Sequence, residues 1–226
     1  MKITRCLQVA AIAAAALLMA NAWAGSKEDF DEAMSADGLQ KIKVKGIDVA
    51  YALPGATLAG YNKVIIDPID VAFHKDWDPE RTGSRFKLSA EERENIRTGV
   101  SKIVHEEFVK ELQKNNSYQI VTEAGPDVLR VEAMIINLYV NAPDTMTAGR
   151  SRTYTVSAGE MTLVIQLHDS ESGAVIARAV DRREGSDSGM MELSNSVVNA
   201  SEARSIASIW ARILKKGLDN AHGIKN

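Results

Sequence analysis

The stretch between residues 89 and 112 carries apolar side chains at spacings of three and four, on one side of a helix only. Ser89 and Glu92 match the capping-box pattern that begins a helix, and Glu91 favours its positively polarised end. A helix with one apolar stripe must bury it against another layer, so the segment predicts a surface helix packed on a sheet. The stripe consists of Ile96, Val100, Ile103, Val104, Phe108 and Leu112.

A second stripe of this kind lies near the carboxyl terminus. Ser201, or Ser194 further upstream, is a candidate amino-terminal cap, and Lys215 and Lys216 suit the negatively polarised end. The apolar positions are Ala203, Ile206, Ala207, Trp210, Ile213 and Leu214. The two patterns together predict helices near residues 89–114 and 201–217.

Short apolar runs bounded by turn residues predict strands before and between the helices. They lie at residues 47–53 (an edge strand), 62–67, 118–122, 127–141, 152–157, 160–168 and 174–182, with a hairpin turn at 169–173. This order predicts an α+β fold, in which two helices pack on one face of a mixed, mostly antiparallel sheet. We expect a single domain over residues 45–220, a flexible lead-in with little regular structure at 25–44, and a tail at 221–226.

The first 24 residues have the pattern of a secretory signal peptide. Lys2 and Arg5 precede an apolar run over residues 9–20, and Ala22-Trp23-Ala24 supplies the small residues that signal peptidase accepts. The alternative is an amino-terminal membrane anchor, but the apolar run is shorter than the roughly 20 residues that span a bilayer. The pattern therefore predicts export and cleavage after Ala24.

Cys6 is the single cysteine of the chain, and it lies within the predicted signal peptide. The mature chain would then have no disulfide and no cysteine nucleophile. It would also have no cysteine at the cleavage point to carry a lipid, so we expect a soluble periplasmic protein. Loss of Lys2 and Arg5 changes the formal net charge from −3 to −5, which argues against nucleic-acid binding.

The connection at residues 67–79 holds the densest group of polar side chains, including Asp67, Asp70, His74, Asp76 and Asp78. A calcium loop would need a turning glycine and a closing glutamate, and a zinc site would need more histidines nearby. No serine lies in a G-x-S-x-G elbow, and the four histidines are scattered along the chain. We therefore predict no catalytic residue, no metal site and no cofactor.

The same connection is the candidate binding surface, made of Asp70, Phe73, His74, Asp76 and Trp77. Trp77 is either a lid folded onto the core or an exposed anchor for a partner, and tryptophan is enriched at binding hot spots. Its aspartates would favour a basic partner, for example another envelope protein. The mature chain shows no transmembrane segment, and the pattern indicates no particular oligomeric state.

The chain resembles a known family in two regions. The runs at residues 51–58 and 60–68, and the turn at 169–173 followed by a strand and Val180-Asp181-Arg182-Arg183, resemble the bacterial family known as domain of unknown function 3313. The resemblance covers roughly residues 35 to 220. It implies an exported, uncharacterised protein, and since the family has no assigned activity, no residue inherits a role. Many members resemble lipoproteins with a cysteine at the cleavage point, which this sequence lacks.

These observations favour a non-catalytic binding or assembly module in the periplasm. The alternative is a hydrolase or metal-dependent enzyme with its site in the 67–79 loop. That alternative requires His74 to meet two of the aspartates, for example Asp70 and Asp76, inside a pocket where they act as acid and base.

Overall fold

The computed structural model describes residues 27–77, 89–140, 154–155, 159–185, 192–193 and 196–224. The helices are α1 (Lys27–Ser35), α2 (Ala90–Gln113) and α3 (Ser196–Ala221). The strands are β1 (Gln40–Ile42), β2 (Val49–Ala52), β3 (Lys63–Ile66), β4 (Asp70–Phe73), β5 (Gln119–Ile120), β6 (Val128–Val140), β7 (Tyr154–Thr155), β8 (Gly159–Asp169), β9 (Val175–Glu184) and β10 (Glu192–Leu193).

Eight of these strands form one sheet in the order β1-β2-β9-β8-β6-β3-β5, with β4 pairing further along the β6 edge that β3 occupies. β3 is parallel to β5 and β6, β4 is parallel to β6, and the other pairs are antiparallel. β7 and β10 form a separate antiparallel pair. The predicted α+β class with a mixed, mostly antiparallel sheet is confirmed.

The two long helices pack together on one face of this sheet, as predicted. Side chains alternate along a strand, so every second residue of β6 and β8 points toward them. The buried residues of this core include Leu129, Val131, Ala133, Ile135, Leu138 and Val140 of β6, and Met161, Leu163, Ile165 and Leu167 of β8. The predicted capping box is present, since Ser89 Oγ accepts from the Glu92 N–H at 3.1 Å and Glu92 accepts from the Ser89 N–H at 2.7 Å.

The expectation of little regular structure before residue 45 is wrong from Lys27 onward, because α1 and β1 lie there. α1 packs on the face opposite the two long helices, where Met34 is 0% exposed in a small second core with Tyr51 and Val180. Arg178 of β9 donates to the carbonyl oxygens of Ala33 (3.3 Å) and Ala36 (3.0 Å). These contacts come from residues far along the chain, so local periodicity does not reveal them.

β1 also changes the position of β2, which lies between β1 and β9 and is not the predicted edge strand. α3 begins at Ser196, upstream of the predicted residue 201, and continues to Ala221. Within the described residues, no helix is both long enough and apolar enough to cross a bilayer. The predicted signal peptide at 1–24 lies outside the described residues, and the domain boundaries stay a prediction.

Candidate functional site

Asp67, at the end of β3, forms a two-pronged ion pair with Arg130 of β6. Arg130 Nε lies 2.7 Å from Oδ2, and Nη2 lies 2.9 Å from Oδ1. The hydrogen bonds to this carboxylate are the main cause that raises the pKa of Arg130 above its ordinary value. Both oxygens of Asp67 are therefore occupied in joining β3 to β6, which is a structural role.

Trp77 is a core side chain and not an exposed anchor. It is 5% exposed, its ring is stacked on Phe73 with centroids 4.2 Å apart, and its Nε1 donates to Val140 O at 2.9 Å. The guanidinium groups of Arg93 and Arg97 lie over the outer faces of Trp77 and Phe73, at 5.3 and 5.9 Å from the ring centroids. Of the two interpretations of Trp77, the structure therefore shows the core lid.

The remaining candidate residues of this connection lie at its surface. Asp70 and Asp76 are exposed, and His74 is half-buried with its Nδ1 accepting from the Asp76 backbone N–H at 3.1 Å. Asp78 and Pro79 lie outside the described residues. Among the described side chains, no group of three or more His, Cys, Asp and Glu is placed to hold a metal ion. The acid–base arrangement that the enzyme alternative requires is not formed by these contacts.

A different part of the fold contains an apolar cavity, between α3 and the strands β2, β9 and β8. Four alanines, Ala50, Ala52, Ala177 and Ala179, line it from β2 and β9. Alanine is depleted in strands, and its small side chain leaves open a space that valine or isoleucine would fill. The cavity has a volume of about 320 Å³. On the helix side it is lined by Trp210, Ile213 and Leu214.

The hairpin between β1 and β2 forms one end of this cavity, through Ile42, Val44 and Ile47. Ile42 is 42% exposed, so apolar surface continues from the cavity to solvent. Gly46, with φ +84°, lies against α3, where an added Cβ would be 3.2 Å from Cδ1 of Ile213. Arg183 Nη2 donates to Gly46 O at 2.6 Å, and this contact holds the hairpin tip beside α3.

Three lining residues carry polar groups, and each group is already engaged. Tyr51 donates to Asp31 Oδ1 at 2.9 Å, and burial is the main cause that raises its pKa above the ordinary value. Arg178 Nε donates to Gln166 Oε1 at 3.0 Å, and Trp210 Nε1 donates to Asp181. The described walls thus offer apolar contact and no free polar side chain, which suits the binding of a hydrocarbon ligand better than a catalysed reaction.

Sequence reasoning missed this cavity. Its signal was present in the chain as alanine at alternate positions, in Val49-Ala50-Tyr51-Ala52 and in Ala177-Arg178-Ala179. Two alanine-bearing strands next to each other place a row of small side chains on one face of the sheet. Recognising it required the pairing of β2 with β9, in which Ala50 faces Ala179 and Ala52 faces Ala177.

Comparison with known proteins gives one family and several distant structures. The model of a family described as a protein of unknown function, DUF3313, matches residues 30–214. No curated protein matches the chain.

Three of the similar solved structures are a PelC dodecamer from Paraburkholderia phytofirmans, a hypothetical protein from Chlamydia trachomatis and a minor lipoprotein from Acinetobacter baumannii. Their identities are 14%, 10% and 12%, with TM-scores of 0.32, 0.38 and 0.33. The matches cover 70%, 72% and 69% of this chain and 96%, 99% and 94% of the others. Every TM-score is below 0.5, so these likenesses carry no functional inference.

Proposed function

The chain belongs to the DUF3313 family of proteins of unknown function, and from this premise we propose that it is a non-catalytic binding module of the cell envelope. Its ligand is a small apolar molecule held between α3 and the strands β2, β9 and β8. The observation that carries the proposal is the cavity of about 320 Å³ with its apolar lining. The family match also confirms the resemblance found in the sequence.

The size and the walls of the cavity support binding more than a simple packing defect. Protein interiors are close-packed, and few voids in them exceed a water molecule. Small-molecule sites occupy about 300–1,000 Å³, and this volume lies at the lower end of that range. The fixed hairpin tip at Gly46 and the exposed Ile42 place apolar surface where a ligand would enter. An apolar ligand there gains about 25 cal/mol for each Å² removed from water.

Binding of the uncharged fluorescent probe N-phenyl-1-naphthylamine to the full chain tests this function. We expect saturable fluorescence enhancement that is at least tenfold weaker in Ala52→Leu and in Ala179→Leu, because leucine occupies the cavity. Ala72→Leu is the matched control, since Ala72 is an exposed strand alanine on β4. Circular dichroism should show all three variants folded, because filling a cavity commonly stabilises a protein. Equal probe binding by the filled variants, or no saturable binding at all, would overturn the proposal.

Export to the periplasm is part of the same proposal and rests on the signal-peptide pattern at residues 1–24. Mass spectrometry of the mature amino terminus tests it separately. A periplasmic protein that begins at Gly25 supports the proposal. A different first residue, or recovery in the membrane fraction alone, contradicts it.

The enzyme alternative has no observation in its favour. It requires His74 to face Asp70 and Asp76 in a pocket, whereas both aspartates are exposed and His74 Nδ1 accepts from a backbone N–H. Docking of a basic envelope protein at Asp70, His74 and Asp76 stays a prediction. Trp77 cannot serve as its anchor, because the indole is buried.

A further inference from the structure

We infer that the cavity takes the acyl chain of a fatty acid, with the carboxylate of the ligand lying at the lysines of the β1–β2 hairpin. This inference rests on the proposed function, since it names the class of ligand for the same cavity. Two independent observations carry it: the polar side chains among the described lining residues are all engaged, and exposed lysines adjoin lining residues in the chain at the hairpin and on α3.

The walls determine the buried part of the ligand. Tyr51, Arg178 and Trp210 are the described lining residues with polar side chains, and their polar groups bond to Asp31, Gln166 and Asp181. A peptide, a sugar or a heterocycle would bury polar atoms against these walls without a hydrogen bond, at a cost in free energy. A plain hydrocarbon has no such atoms. The buried part of the ligand is therefore a hydrocarbon, which in a fatty acid is the alkyl part of the acyl chain.

The volume of the cavity favours a ligand with a single hydrocarbon chain. At about 320 Å³ the cavity lies at the lower end of the range for small-molecule sites. A diacyl phospholipid would have to place its second chain against exposed surface. That chain would remain largely in contact with water and would contribute little to binding. A single-chain amphiphile buries its apolar part and leaves its head group at the mouth.

The charges at the mouth determine the head group. Lys43 and Lys45 are exposed and flank the lining residue Val44, and Lys216 is exposed beside the lining residue Gly217. Within the described part of the chain, none of these three lysines forms an ion pair. The hairpin also carries one acidic residue, Asp48, whose Oδ2 accepts from the Arg182 backbone N–H at 2.9 Å. This bond leaves the negative charge of Asp48 in place, and the three lysines outnumber it. The mouth is thus positive, and it attracts an anionic head.

Lysines on an edge strand also prevent sheets from pairing edge to edge, and this is the competing explanation for the hairpin. Lys41 fits that explanation, because it lies on the edge strand β1. Its Nζ is 3.9 Å from Oδ1 of Asp31, so its charge is already paired. The two explanations differ in what removal of Lys43 and Lys45 does to ligand affinity. Protection of the edge predicts increased self-association and no change in binding, whereas a head-group site predicts weaker binding of anions alone.

The experiment displaces N-phenyl-1-naphthylamine from the full chain with fatty acids of 10 to 16 carbons, and with the primary alcohols of equal length, below their micelle concentrations. We expect affinity to rise about fourfold for each added methylene until the cavity is filled, and then to level off. Acids should bind about tenfold more tightly than alcohols, and 0.5 M salt should reduce that ratio. The double variant Lys43→Gln/Lys45→Gln should lower the affinity for the acids several-fold and leave the affinity for the alcohols unchanged.

Lys102→Gln is the matched control, because Lys102 is an exposed lysine on α2. Equal affinities for acids and alcohols, or no effect of the double variant, would overturn the fatty-acid assignment while probe binding still supports an apolar site. Sedimentation with phosphatidylglycerol vesicles, without displacement by monomeric acids, would overturn it in favour of a membrane surface. Failure of the uncharged probe itself to bind would instead remove the proposed function.

Discussion

Trp210 donates its indole N–H to Oδ2 of Asp181 at 2.7 Å, and both side chains are almost completely buried. The same oxygen lies 2.7 Å from Nε of Arg183, and Oδ1 accepts from the Asp48 backbone N–H at 3.0 Å. One carboxylate therefore joins α3, β9 and the hairpin that precedes β2. These are three of the elements around the cavity.

We expect Asp181→Ala to lower the free energy of unfolding by about 3 kcal/mol, because the buried indole N–H loses its acceptor and the Arg183 guanidinium loses its ion-pair partner. Urea denaturation of the full chain measures this change. Asp70→Ala is the control, since this exposed aspartate should alter stability by less than about 0.5 kcal/mol. Equal stability of the two variants would show that the carboxylate does not hold α3 in place.

Trp77→Ala should cost about 3–5 kcal/mol of stability, because it opens a cavity beside Phe73 and removes a buried hydrogen bond. Trp77→Phe preserves a ring in the stack and loses only the bond to Val140 O, so we expect a loss of about 1 kcal/mol. Thermal unfolding of both variants is the measurement. An unchanged melting temperature in Trp77→Ala, together with loss of a bound partner, would restore the exposed anchor.

Tyr61 and Asp169, joined by a hydrogen bond of 3.0 Å from Tyr61 OH to Asp169 Oδ2, make stability depend on pH at both extremes. Bonds from Ser172 are the main cause that lowers the pKa of Asp169, so its contribution is complete above about pH 4 and is lost as pH falls below that value. Burial, followed by the bond to Asp169, raises the pKa of Tyr61 to about 12. Its contribution is complete below about pH 10 and is lost as pH rises toward 12.

Denaturation curves measured across the acidic range test whether stability falls as Asp169 is protonated. The wild-type chain should lose stability between about pH 4 and pH 2 more steeply than Asp169→Asn, which has no carboxylate to protonate. Glu171→Gln changes an exposed acid in the same turn, and its curve should follow the wild type. Parallel curves for the wild type and Asp169→Asn would contradict the assignment.

Arg178→Met should release α1 from the sheet, because the guanidinium bonds to the carbonyl oxygens of Ala33 and Ala36 and pairs with Asp37. Amide hydrogen exchange at residues 27–39 should accelerate at least tenfold, while exchange in β6 stays slow. Arg182→Met is the control, since Arg182 pairs at the surface with Glu160 and Glu184. Unchanged protection of α1 would show that the burial of Met34 alone holds the helix.

Local patterns predicted those elements whose signals are themselves local. α2 followed from a capping box and one stripe, and β8 and β9 followed from alternating residues around the turn at 169–173. β4 was missed because Asp70–Phe73 is too short to show a period, and it forms a strand by extending the edge of β6 beyond β3. Its existence depends on the pairing partner, which sequence periodicity does not contain.

For the candidate site, the sequence pattern pointed to the wrong place, because the contacts that decide it join residues far apart in the chain. The polar residues at 67–79 suggested a binding surface. Arg130 instead pairs with Asp67, and Val140 O accepts from Trp77, and in each pair the two residues are 63 positions apart in the sequence. The cavity depends on small side chains from two paired strands, and on what they leave unfilled. The sequence shows which residues are small. Only the register that pairs Ala50 with Ala179 places these small side chains next to each other, so that they leave one continuous cavity.

The attachment of α1 has a consequence for the order in which the protein assembles. Arg178 lies 145 residues after Ala33, and it reaches the helix only when β9 is already paired with β8. A chain that emerges amino terminus first has therefore released nearly four fifths of its length before α1 and β1 have a surface to dock on. The packing of α1 and β1 therefore depends on strands that are released long after them, and it cannot be completed before β9 has joined the sheet.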